Sequence, residues 1–162
     1  MIKIYKFFNR RIFHKLFGNK IIHIEAPYMT EKKLTEHIIK YNPKCYCITP
    51  INYEYMKSNF GCKLNKDELS KFLKKYYLKL KEKGVDLQLH VHLSIYLKNM
   101  TSQEKRKMIT GAYLFFKNEL GIIPKEIVFG WTTFDQETLT IVKELNILPI
   151  TFKHFHVYDF WL

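Results

Sequence analysis

Cysteine is scarce in this chain. Cys45, Cys47 and Cys62 are an odd set with no Cys-x-x-Cys pair. That argues against a disulfide framework and fits a reducing compartment, expected to be the cytoplasm. Cys45 and Cys47 alternate along a predicted strand and read as core. Long apolar runs are missing too, and none approaches the ~20 residues that span a membrane. Residues 1 to 20 lack the apolar stretch and small-residue cleavage site of a secretory signal. They also lack any acid, while holding Lys3, Lys6, Arg10, Arg11, Lys15 and Lys20. There is no Gly-rich phosphate loop, no serine nucleophile elbow and no His-Glu-x-x-His, which removes the commonest nucleotide-binding, serine-hydrolase and metalloprotease signatures.

What is present is a chain of 162 residues, 47% hydrophobic and 16% aromatic, long enough for one domain with a real core. Its net charge of +12 is concentrated. Besides the N-terminal block, residues 57 to 83 set nine lysines against Asp67, Glu68 and Glu82. Such a surplus attracts anionic lipid, nucleic acid or acidic glycans without distinguishing them, and solvated helix faces account for the second block equally well. Nucleic-acid binding rests on charge alone and is not expected.

In "MIKIYKFFNRRIFHKLFG", Ile4, Phe8, Ile12 and Leu16 recur at four-residue steps before Gly18. The pattern predicts a basic amphipathic helix over 1–19, with an anionic membrane surface as a partner for residues 1–18 and a cap over a sheet end as the plainer role. From residue 20 to 162 strands alternate with helices. Strands are predicted at 20–26, 44–50, 85–93, 126–131 and 147–157, and helices at 30–41, 65–84, 101–120 and 135–145. Asn65 with Glu68, and Thr101 with Glu104, have capping-box spacing. Repeated βα units imply an α/β fold with a mainly parallel sheet, here an incomplete or distorted (β/α) barrel of about five strands. Its open edges favour self-association into a homo-oligomer, or cover by the N-terminal helix.

The stretch "GVDLQLHVHLS" breaks the usual pattern of a parallel strand, which is apolar on both faces. Asp86, Gln88, His90 and His92 make one face polar, and the two histidines fall at the C-terminal end, where βα folds place their chemistry. His23 and Glu25 share a face at the end of the first strand. Trp131 and Asp135 follow the fourth, and His154, His156 and Asp159 mark the fifth. Five of the seven histidines belong to this set. Imidazoles and a carboxylate are the ligand types of a catalytic zinc.

Three stretches carry a resemblance to a known family. "GVDLQLHVHLS" resembles the second motif of the polysaccharide deacetylases (the NodB-homology domain), with Gly84, Leu89 and His90 matching, Asp86 at the acidic position and Leu87 at the aliphatic one. "FGWTTFDQETLTIVKELNI" is similar to a Gly-Trp motif and following helix in divergent members, and "IIHIEAP" stands where the family has its aspartate-bearing first strand. The resemblance covers roughly residues 20 to 160. It implies a distorted (β/α) barrel using a divalent metal, often zinc, to remove acetyl groups from glycans at amide or ester bonds.

Carried over by position, the resemblance implies that His90 is a metal ligand; His92, the nearby substitute for the second histidine, and Glu25, standing in the first strand in place of aspartate, complete the expected metal set. A catalytic role is expected of His23, and proton transfer of His154, His156 or Asp159, since "KHFHVYDF" resembles the late Leu-His motif in which the histidine acts as general acid. Trp131 and Asp135 would contact a glycan or acetylated small-molecule substrate. The chain departs from the pattern in lacking both first-strand aspartates, in having Ser94 where a second histidine is usual, and in having Val128 in place of an arginine. The departures leave an alternative, a catalytically inactive relative that binds a glycan or a membrane-associated partner.

Overall fold

The structure is a computed structural model, and it describes residues 21–93 and 97–150. The predicted N-terminal helix, the end of the fifth predicted strand, and with it His154, His156 and Asp159 lie outside the described residues.

Five short strands form the sheet: β1 (Ile21–Ile24), β2 (Lys44–Cys47), β3 (Leu87–Val91), β4 (Glu126–Phe129) and β5 (Leu148–Ile150). All are parallel, and their order in the sheet is their order in the chain. That order is decisive for shape. Each right-handed crossover sends its helix to the same side, so the sheet curls around its other face as a barrel segment does.

The connecting helices are α1 (Pro27–Tyr41), α2 (Tyr53–Phe60), α3 (Lys66–Glu82), α4 (Ser102–Leu114) and α5 (Gln136–Glu144). Their starts follow local chemistry. Asn65 and Thr101 close capping boxes with Glu68 and Glu104, as their spacing predicts. Asp135 caps α5 by accepting from the Thr138 N–H at 2.9 Å. The predicted 101–120 helix is α-helical to Leu114, continues as a π-turn over Phe115–Glu119, and ends at the left-handed Gly121. The sequence predicts no helix between residues 50 and 60. The chain there makes a single turn, Pro50–Asn52, and runs directly into α2.

Side chains of the sheet's helix-covered face (Ile22, Ile24, Cys47, Leu89, Ile127, Phe129) join Leu69, Leu73, Tyr77, Ile109 and Phe116 in the main core. The Tyr77 hydroxyl donates to the Ile48 carbonyl at 2.7 Å and fixes α3 to the end of β2. The concave face carries His23, Tyr46, Gln88, His90 and Val128, none more than 7% exposed. From Gln88 to His92 the polar side of "GVDLQLHVHLS" is therefore buried, and only Asp86 at its start is exposed.

Inward side chains of a βα barrel stack in layers drawn from alternate strands. Tyr46 and Val128, from β2 and β4, cluster together, while His23 and His90, from β1 and β3, meet edge to face with ring centroids 3.5 Å apart. At the N-terminal end of this face Lys44 pairs with Glu126 at 2.9 Å and with Asp86 at 3.6 Å, and the Tyr46 hydroxyl donates to Glu126. The face thus has a salt-bridged floor and a histidine-lined top.

Candidate metal centre

Four residues converge at the C-terminal ends of β1 and β3. His23 and His90 lie within their strands, while Glu25 and His92 stand one residue beyond them. The two-residue repeat puts each pair on the concave face, and alternate-strand layering brings the pairs together. One oxygen of Glu25, Oε1, is the common point. It lies 3.6 Å from His23 Nδ1, 3.8 Å from His90 Nε2 and 3.4 Å from His92 Nε2. The other oxygen, Oε2, accepts a hydrogen bond from the Tyr55 hydroxyl at 3.1 Å.

The hydrogen bonds set the states of these groups. His90 Nδ1 lies 3.2 Å from the Val128 carbonyl oxygen, which can only accept, so the proton sits on Nδ1 and the Nε2 lone pair faces the centre. That Nε2 is buried with no hydrogen-bond partner. Burial holds His90 well below 6.5, with His23 and His92 adding to the effect against the Val128 bond. Burial likewise brings His23 down to about 4, opposed by Glu25 and aided by His92. For Glu25 burial acts upward, but the hydrogen bond from His92, the neighbouring His23 and the Tyr55 hydroxyl outweigh it, and the carboxyl stays below its ordinary value. At neutral pH the centre therefore holds neutral His23 and His90 imidazoles around an ionised carboxylate.

A lone pair facing an anionic oxygen at 3.8 Å is unfavourable unless a cation sits between them. Ligand atoms of His23, Glu25 and His90 lie within 4.8 Å of one another, close enough to share an ion. This donor set suits zinc or a neighbouring transition metal better than magnesium or calcium, which prefer oxygen. The residues fit the group that the sequence reading expects, with one exchange. The triad that comes together contains His23 where the sequence reading has His92.

His92 is held beside the triad rather than in it. Its backbone is clamped by Asn52, which donates to the His92 carbonyl at 2.6 Å and accepts from the His92 N–H at 3.3 Å. Its ring stacks on Tyr55 at 3.7 Å and meets Trp131 edge to face at 5.1 Å. On the remaining side stands Gly130, where a Cβ would fall on the His92 ring. The next residue, Trp131, takes a left-handed backbone (φ 53°), rare for a large side chain, and is 49% exposed at the rim.

Asp135 goes elsewhere. Its carboxylate caps α5 and pairs with the buried Lys105 at 2.8 Å, so its chemistry is spent on joining α4 to α5. Asn52 and Tyr55 escape the sequence reading. The available signals are the left-handed Gly61 that ends α2 and a tyrosine and asparagine beside Pro50, but neither signal reveals contact with a strand over 30 residues away.

No family model matches the sequence, and no curated protein does. Solved structures do match in fold. A mutant of a CE4 family pseudoenzyme with restored enzymatic activity superposes with TM-score 0.58 at 11% identity, over 81% of this chain and 42% of that one; its wild type comes from Bacillus anthracis. A family 4 carbohydrate esterase from Streptomyces lividans in complex with acetate gives 0.56 at 7% identity, over 81% of this chain and 59% of that one. The deacetylase PplD of Streptococcus pyogenes, also with acetate, gives 0.55 at 15% identity, over 78% and 51%. This chain spans between 42% and 59% of the length of these three structures. At such identities the likeness is one of fold: the chain's five parallel strands and their helices form an incomplete (β/α) barrel like part of the family 4 carbohydrate esterase fold.

Proposed function

We propose that this protein is a metal-dependent hydrolase of the polysaccharide deacetylase type, removing acetyl groups from a glycan or a related amide or ester. One observation carries the reading: the buried, unpartnered Nε2 of His90 faces the ionised Glu25 beside His23, an arrangement that asks for a cation. His23, Glu25 and His90 would hold the ion. When bound, a divalent metal polarises the acetyl carbonyl and lowers the pKa of a water.

The chain's own residues supply the rest. His92 Nε2 shares Glu25 Oε1 at 3.4 Å and lies at the edge of the triad, placed to hold or pass a proton. Trp131, exposed at the rim, offers a flat apolar wall for a sugar ring. His154, His156 and Asp159 are the further candidates for proton transfer. The reading includes a cytoplasmic location, peripheral at anionic membranes through residues 1–18, and self-association through open sheet edges. Among the described residues no helix is long and apolar enough to cross a membrane.

The experiment is acetate release from N-acetylated chito-oligosaccharides by the full chain, metal-stripped and then reloaded with zinc. Release that depends on zinc and vanishes in His90→Ala is expected. Stoichiometric zinc binding with no release from amide or ester substrates would favour a second reading, a non-catalytic glycan-binding relative. The feature that supports it is the stretch from β1 to the residue after it, which has His23 and Glu25 and no aspartate.

A further inference from the structure

The two oxygens of Glu25 do different jobs. Oε1 is the oxygen set against His23, His90 and His92, at 3.6, 3.8 and 3.4 Å. Oε2 takes the Tyr55 hydroxyl at 3.1 Å. A glutamate has three rotatable bonds and, left to itself, turns either oxygen or both toward a cation. Something must choose.

We infer that Tyr55 is the positioning residue of this site: its hydroxyl engages Glu25 Oε2 and so makes the carboxylate a one-oxygen ligand. The inference rests on the metal-centre reading and adds to it how the carboxylate is presented. Tyr55 is well placed for this. It sits in the first turn of α2, three residues after Asn52, whose side chain clamps the His92 backbone. Its ring lies flat on His92 at 3.7 Å with an interplanar angle of 15°, which fixes the height of the hydroxyl above the sheet. The segment 50–55 therefore reaches from β2 over its two neighbours, gripping β3 through Asn52 and the end of β1 through Tyr55. A phenol donating to an ionised carboxylate makes a charge-assisted bond, stronger than one between neutral groups. Occupying Oε2 leaves fewer donor atoms for the ion, and a position remains for water or substrate.

Tyr55→Phe isolates the hydroxyl, because it keeps the ring that stacks on His92. The full chain, stripped of metal, is titrated with cobalt(II) and followed by its visible absorption. In the wild type one equivalent is expected to bind with the intense bands of a low-coordinate ion. In Tyr55→Phe the affinity is expected to fall about tenfold to a hundredfold, as for other residues that orient a ligand. The bands should weaken as the freed carboxylate contributes both oxygens, while the metal-free protein stays folded and loses no more stability than one charge-assisted hydrogen bond supplies. X-ray absorption at the zinc edge of the wild type gives a check that needs no variant, and it should show one carboxylate oxygen. Equal affinity and superimposable spectra for the two proteins overturn the inference, as does a two-oxygen carboxylate in the wild type. A wild type that binds neither cobalt nor zinc overturns the metal-centre reading itself, and that result is distinct from the other two.

Discussion

Lowering the pH should unfold the metal-free protein through two buried imidazoles, and the size of the effect follows from their environment. His23 titrates at about 4 in the native chain against 6.5 ordinarily. The unfolded state therefore takes up a proton that the native state refuses, and stability must rise with pH across that window. The sign is that of a depressed histidine: its contribution is complete above pH 6.5 and lost as pH falls toward 4. For His23 that displacement is worth about 3 kcal/mol at 1.36 kcal/mol per pH unit. His90, held down by the same burial, acts in the same direction. With both refusing protons, the slope between pH 6 and 4.5 approaches about 2.7 kcal/mol per pH unit. Against a total of about 5–15 kcal/mol for a domain, this is a large share. The assay is urea unfolding at half-unit steps from pH 7.5 to 4.5 with chelator present, on the wild type and His23→Gln. Depressed carboxyls such as Glu25 also favour higher pH, so the informative quantity is the difference between the two proteins. The variant should lose about 1.4 kcal/mol per pH unit of slope. Parallel curves would show that His23 ionises as freely in the native site as in the unfolded chain, and the reasoning would fail.

Gly130→Ala should cost about 1–3 kcal/mol by overpacking, since Asn52, Tyr55 and Trp131 leave His92 no direction in which to retreat; wild-type stability by calorimetry would contradict this. His90→Ala should sharply weaken zinc binding by calorimetric titration. Gln88→Ala should leave zinc binding almost intact and cost about 2 kcal/mol or more of stability, because the Gln88 carbonyl oxygen accepts from the N–H groups of Lys125 and Glu126 at 2.9 Å each. Equal zinc isotherms for wild type and His90→Ala would remove the centre. Deleting residues 1–18 should abolish sedimentation with anionic vesicles, and salt should weaken it in the full chain; equal binding to neutral vesicles would reject that role.

The parts of this fold that are legible in the sequence are those set by neighbours in the chain. Asn65 and Thr101 announce their helices because a capping box needs only four residues. The five strands and their common direction follow from the alternation of short apolar runs with helical periodicity. The site is legible only as far as its strands. His23, Glu25, His90 and His92 fall on the expected face, but which three share a centre depends on layering between β1 and β3 and on what presses on His92. Those contacts span 67 residues between Glu25 and His92. Asp135 illustrates a conflict of signals: the same residue suits a helix start and a rim carboxylate, and Lys105 and Thr138 claim it for the helix. Residues 50–60 are opaque because eight residues of α2 are too few to establish a period.

The strand order bears on how the protein is made. Because every strand pairs with the one just before it, no pairing within the described sheet waits for a distant part of the chain, and closure costs stay those of single βα units. Synthesis from the N-terminus can lay the sheet down one strand at a time. All four residues of the centre, and the Asn52 and Tyr55 that steady them, precede residue 93. Its ligands can therefore come together on the nascent chain once β3 has docked on β2, before β4 brings the Val128 carbonyl to His90 and Gly130 and Trp131 close against His92. An ion captured at that stage would be fastened in place by β4 rather than having to enter a finished site.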